Sequence, residues 1–170
     1  MTLLVCPLSQ VEAARALHRP SHLVSLLSPA SAAEAWPVAE GLHLRLAFHD
    51  IAEPREGFTP PDAALVARLL DFAAGWDATR PMLVHCWAGV SRSMAATYAI
   101  LCDRLGPGSE IRAAQAIRSR APHAYPNSLM VQYADDLLER RGHMVAAIKN
   151  IGAGMMVAEG TIVEFPLREL

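Results

Sequence analysis

The sequence predicts a single α/β domain in which a central, mostly parallel sheet is flanked by helices. Short apolar runs alternate with stretches of helical periodicity, the rhythm of strands joined by crossover helices. The length of 170 residues suits one domain, or one domain with a small appendage. Hydrophobic residues make up 52% of the chain and charged residues 19%, enough apolar side chain for a sizeable core and too little charge for a disordered polyelectrolyte.

The elements follow in order. Leu3 to Cys6 reads as a strand, Gln10 to Leu17 as a helix and Leu23 to Leu27 as a second strand, punctuated by Pro7, Pro20 and Pro29. After a loop containing Trp36 and Pro37, Leu42, Leu44, Leu46 and Phe48 recur at period two, predicting a strand that ends near His49 and Asp50. A looser segment, Glu53 to Pro61, comes next. Asp62 then caps a helix whose apolar face is Leu65, Val66, Leu69, Leu70 and Phe72. Met82 to Val84 is a short, buried strand running directly into HCWAGVSRS, residues His85 to Ser93. From about Arg92 to Leu105 the pattern is apolar nearly all round, which predicts a buried helix ending at Gly106 and Pro107. Helices over Glu110 to Ser119 and Ser128 to Arg141 flank the turn Ala121 to Asn127, with Asn127 an N-cap and Gly142 a C-terminal cap. Gln132, Asp135 and Asp136 read as solvated or capping positions. Residues 1–142 are expected to form the α/β domain and residues 143–170 an extension packed on it, with a short strand over Thr161 to Phe165.

Fifteen basic and seventeen acidic residues leave a formal charge of −2 with no basic stripe, so no nucleic-acid partner is expected. No apolar run approaches the roughly 18 residues of a membrane span, and the opening MTLLVCPLSQ lacks the flanks of a secretion signal. A cytoplasmic address follows by default. The three cysteines, Cys6, Cys86 and Cys102, show neither zinc-ligand clustering nor a disulfide framework, and no metal or other cofactor is expected.

The chemistry concentrates in His85 to Ser93, a cysteine followed after five residues by an arginine and a hydroxyl where a strand turns into a helix. Backbone amides from Trp87 through Ala88, Gly89, Val90, Ser91 and Arg92, with the following helix N-terminus, can converge on an anion. Gly89 permits a tight bend, and Arg92 offers a planar fork of donors to a phosphoryl group. The same electropositive cradle favours a thiolate at Cys86, making it a nucleophile. His85 would order the loop around the cysteine, and the Ser93 hydroxyl would stabilise the thiolate when it leaves. Trp87 reads equally as a lip of the substrate pocket or as core. Cys6 and Cys102 read as core filling, although Cys6, ending a strand, could approach the site and trap an oxidised Cys86.

HCWAGVSRS resembles the signature loop of the cysteine-based protein tyrosine phosphatase superfamily, and most of all its compact dual-specificity-like members. The stretch AIRSRAPHAYPN before an apolar helix is similar to the Arg-Pro and Pro-Asn region of the same proteins, with Ala121 separating Arg120 from Pro122. The resemblance implies a phosphoprotein phosphatase acting on phosphotyrosine, and on phosphoserine or phosphothreonine as a further option, through a phosphocysteine intermediate and without metal. It also implies an aspartic acid on a loop before the cysteine that protonates the leaving oxygen. Asp50, directly after a predicted strand, suits that role best, with Glu53, Glu56 and Asp62 as alternatives. The loop interior has no lysine, which favours a phosphorylated protein or peptide over a phosphoinositide. Two other readings stand beside it: a catalytically weak phosphate-recognition module, and a rhodanese-like sulfurtransferase. His49-Asp50 also looks like the metal dyad of an all-helical phosphohydrolase class, but the further ligands that class needs are missing.

Overall fold

The computed structural model describes residues 1–31 and 42–170; the predicted loop with Trp36 and Pro37 lies outside them. Among the described residues the strands are β1 (Thr2–Pro7), β2 (His22–Leu27), β3 (His43–Ala47), β4 (Met82–Cys86) and β5 (Val163–Pro166). The helices are α1 (Val11–His18), α2 (Ala63–Ala74), α3 (Arg92–Leu105), α4 (Glu110–Arg120), α5 (Ser128–Leu137) and α6 (His143–Asn150). They form a single α/β domain around one five-stranded sheet of order β3-β2-β4-β1-β5. All neighbouring strands run parallel except β1 and β5, which are antiparallel.

Strands β2 and β4 are buried along their whole length, as parallel strands covered on both faces must be, whereas β3 at the edge is only partly buried. Alternation along the strands sorts their side chains between two cores. Leu3, Val5, Val24, Leu26, Met82, Val84 and Cys86 face α2 to α6. Leu4, Cys6, Leu23 and Leu83 face α1 with Val11 and Ala14. Helix α3 runs through the larger core with eleven buried residues, from Arg92 to Cys102, which explains the unbroken apolar pattern of its sequence. Asp62 caps α2 by accepting from the Leu65 amide at 2.7 Å, as predicted.

The predicted helix Ser128 to Arg141 ends early, at Leu137, and Gly142 does not close it. Gly142, with φ +87°, is instead the N-cap of α6, an element the periodicity reading left unassigned. The reason is Asp135. Rather than being solvated it is 0% exposed, and its carboxylate accepts from the amides of Gly142, Met144 and Val145 at 2.6, 2.7 and 3.3 Å. A buried carboxylate filling the amide end of the next helix stops one helix and starts another.

Candidate active site

The C-terminal ends of the parallel strands bring together Pro7, Leu27, Ala47 and Cys86, with β4 in the middle of the sheet. Between Cys86 and the first residue of α3, Arg92, the chain makes a tight loop whose carbonyls are tied to surrounding elements. Trp87 O accepts from the Leu8 amide at 3.1 Å, Ala88 O from Gly160 at 2.8 Å, and Val90 O from Tyr125 at 2.9 Å. Ser91 O accepts from Ala95 at 2.9 Å, and the His123 ring lies close to the Gly89 backbone. In a trans peptide C=O and N–H point in opposite directions. Carbonyls held outward therefore turn the amides of Ala88, Gly89, Ser91 and Arg92 toward the loop's interior, where they join the N-terminus of α3 as donors to an anion. Gly89 is required for this close approach. Its φ is +69°, and a Cβ there would lie 2.8 Å from Pro7 N.

Cys86 is 2% exposed at the base of this loop, with Sγ 3.1 Å from the Ser93 hydroxyl. Arg92 is 5% exposed. Its Nη1 donates to Phe48 O at 2.8 Å and its guanidinium lies 5.7 Å from the Phe48 ring centroid. Its Nε is buried without a hydrogen-bond partner among the described residues and lies 3.9 Å from Asp50 Oδ2. The fork is thus anchored at one corner and leaves donors for an oxyanion. Asp50 reaches the loop from the end of β3: its Oδ1 accepts from Ser91 Oγ at 2.7 Å and from Asn127 Nδ2 at 2.9 Å. Asn127 is at once the cap of α5, accepting from Met130 N at 3.0 Å, and a donor to Asp50. Its capping role was legible; its contact with Asp50 was not, because only the fold brings the turn before α5 against the end of β3.

The other carboxylates lie elsewhere. Glu53 and Glu56 are exposed on the loop beyond Asp50, and Asp62 is occupied by capping. His49 pins that loop: its amide donates to Thr59 O at 2.7 Å and its Nδ1 accepts from the Thr59 amide at 2.9 Å, so the ring is used structurally and not as half of a metal dyad. Among the described residues no group of three or more His, Cys, Asp or Glu side chains is placed to hold a metal ion. Trp87 is 60% exposed, a lip of the loop and not core, and Tyr125, whose amide donates to Val90 O, is 62% exposed. Cys6 belongs to the α1-side core and Cys86 to the opposite one, so the sheet separates the two thiols and gives Cys6 no direct line to Cys86. Burial, with Cys86 and Glu159 nearby, pushes the Cys6 thiol up to about 12, and burial likewise holds Cys102 at about 12.

Comparison with solved structures gives this arrangement a context. Human DUSP28 superposes with a TM-score of 0.58 at 22% identity, covering 82% of this chain and 89% of that one. The human tyrosine phosphatase-like serine/threonine/tyrosine-interacting protein gives 0.60 at 18% identity over 82% and 92% of the two chains. PTPMT1 in complex with PI(5)P gives 0.60 at 19% identity over 85% and 92%. This chain has the fold of the compact dual-specificity-like protein tyrosine phosphatases. In this dual-specificity-like fold the Cys86 loop sits between the central strand and the buried helix, and Asp50 approaches it from beyond the end of the edge strand β3. No protein-family model and no curated protein matches the sequence. No helix among the described residues is long and apolar enough to cross a membrane.

Proposed function

We propose that the chain is a phosphoprotein phosphatase that hydrolyses phosphotyrosine through a phosphocysteine intermediate. The observation that carries this reading is the meeting of Asp50, from the segment after β3, with the loop that holds Cys86, the inward amides and Arg92, Asp50 being held there by Ser91 and Asn127. Cys86 attacks phosphorus, so an S–P bond forms as the P–O bond to the substrate breaks, and Asp50 gives its proton to the departing oxygen. The amides of residues 87 to 92 and the free donors of Arg92 hold the equatorial oxygens, whose charge grows in the transition state. Water then attacks the phosphocysteine and loses its proton to Asp50. The S–P bond breaks, and the Ser93 hydroxyl, 3.1 Å away, stabilises the thiolate released. No step requires a metal. The exposed Trp87 and Tyr125 rings suit an aryl phosphate, and the uncharged loop interior suits a peptide better than a phosphoinositide. A reducing, cytoplasmic setting would keep the nucleophile as a thiol.

Hydrolysis of p-nitrophenyl phosphate by the reduced chain, without added metal, tests this. Vanadate-sensitive turnover that disappears in Cys86→Ser supports it. Vanadate binding with no turnover would point to a phosphate-recognition module, and thiocyanate formation from thiosulfate and cyanide to a sulfurtransferase.

A further inference from the structure

The face of the sheet away from Cys86 carries a polar chain in an otherwise apolar layer. Ser25 on β2 stands in register with His85 on β4 and with Arg45 on β3, and His43 lies on that same face of β3. Ser25 Oγ is 2.6 Å from His85 Nε2 and 2.8 Å from His43 Nε2. His85 is 0% exposed and Ser25 4%. One hydroxyl has one proton, so Ser25 donates to one ring and accepts from the other.

His85 settles the direction. It immediately precedes Cys86 on β4, and the Cys86 backbone beside the ring favours a protonated ring nitrogen. With Nε2 taken by Ser25, that proton falls to Nδ1. Burial keeps the ring neutral, which leaves Nε2 as an acceptor for the Ser25 O–H, and Ser25 in turn accepts the His43 Nε2–H. The chain therefore runs one way, from His43 through Ser25 to His85, the residue bonded to Cys86. Holding the buried His85 ring fixes the end of β4 from which the Cys86 loop departs.

We propose that Ser25 and His43 are positioning residues for the Cys86 nucleophile, acting through His85 from the opposite face of the sheet; this rests on the phosphatase reading above. The charged and titratable groups facing the chain are Arg45 on β3 and Arg15 on α1, which act on His43, and Arg92 on α3, which acts on His85. Cys86 itself faces Ser93 and, through the sheet, Cys6.

The test reads the thiolate directly. Cys86 in the full chain is alkylated with iodoacetate across pH 5 to 8 and its peptide quantified by mass spectrometry, with vanadate affinity measured in parallel. Ser25→Ala should slow Cys86 alkylation at pH 6 by about tenfold, shift the profile to higher pH and weaken vanadate binding. Ser25→Thr, which keeps the donor, should restore most of the wild-type profile. His43→Leu, on the half-buried edge strand, should give a smaller shift of about threefold and serves if Ser25→Ala fails to fold. Wild-type alkylation profiles in both Ser25→Ala and His43→Leu would overturn the proposal, whether or not the protein turns over p-nitrophenyl phosphate. Shifted profiles in a chain without turnover would uphold the relay and sink the phosphatase reading instead.

Discussion

Asp50 is held by donors from two elements remote from it in sequence, Ser91 at the start of α3 and Asn127 at the start of α5. The proton-donor role proposed for it predicts a leaving-group dependence. Asp50→Asn should slow hydrolysis of alkyl phosphates much more than aryl ones, since a phenol departs without protonation more readily than an alcohol does. Equal slowing of phosphoserine and phosphotyrosine peptides would count against it. Asn127→Ala removes one donor to Asp50 and the α5 cap together. We expect kcat to fall by about ten- to a hundredfold, the scale at which misplacement of a catalytic group is felt, with a stability loss of about 1 kcal/mol. Steady-state kinetics and urea unfolding of the one variant separate the two effects.

At the level of the element, the signature loop is a backbone device whose orientation comes from its neighbours. Leu8, Tyr125 and Gly160 belong to segments before and after it, and the amide of each secures the outer side of one loop peptide. Gly89→Ala puts a methyl group 2.8 Å from Pro7 N at a φ of +69°, so the loop cannot keep its path. Vanadate binding should be lost while the far-ultraviolet circular dichroism stays that of the folded chain. Gly160→Ala makes a gentler version of the same test. Its Cβ would meet His123 Nε2 at 2.5 Å and Gly89 O at 3.2 Å, so the ring must shift against the loop. A several-fold rise in the vanadate dissociation constant is expected, and an unchanged value would show that the segment before β5 does not set the loop's geometry.

Across the whole molecule, the sheet places two imidazoles, buried His85 and half-buried His43, on the face behind Cys86, and this makes stability depend on pH. Burial, with His43 nearby, lowers His85 to about 4, and burial, with Arg45 and Arg15 nearby, lowers His43 to about 4. The unfolded chain takes up these protons first, at ordinary values near 6.5, so the stabilisation is complete above about pH 6.5 and is lost as pH falls toward 4. The slope is at most about 1.4 kcal/mol per pH unit for each ring, with half-buried His43 contributing less because solvent screens it. Urea midpoints at pH 7 and pH 5 measure it: the drop should shrink in His85→Gln, and an unchanged drop would assign it to the carboxylates instead. Arg140 and Glu110 form a buried pair, at 3.5 Å, between the end of α5 and the start of α4. Removing one partner, as in Glu110→Ala, should cost about 3 to 5 kcal/mol in chemical unfolding, because the other charge stays buried.

The sequence by itself determined the α/β class, the strand that carries Cys86, the helix that starts at Arg92 and the caps at Asp62 and Asn127. These features are local: periodicity, capping residues and the spacing within HCWAGVSRS lie in contiguous segments. Tertiary structure alone decided what such signals do not encode. It made Asp135 a buried cap and so split the last long helix from α6, and it set Cys6 and Cys86 on opposite faces of the sheet. It also brought Asn127 to Asp50, Gly160 to Ala88, and His43 and Ser25 to His85. Each of these joins residues far apart in the chain, and the physical reason is strand order: with β4 between β1 and β2, partners meet through sheet register and packing, whose distances no local pattern records.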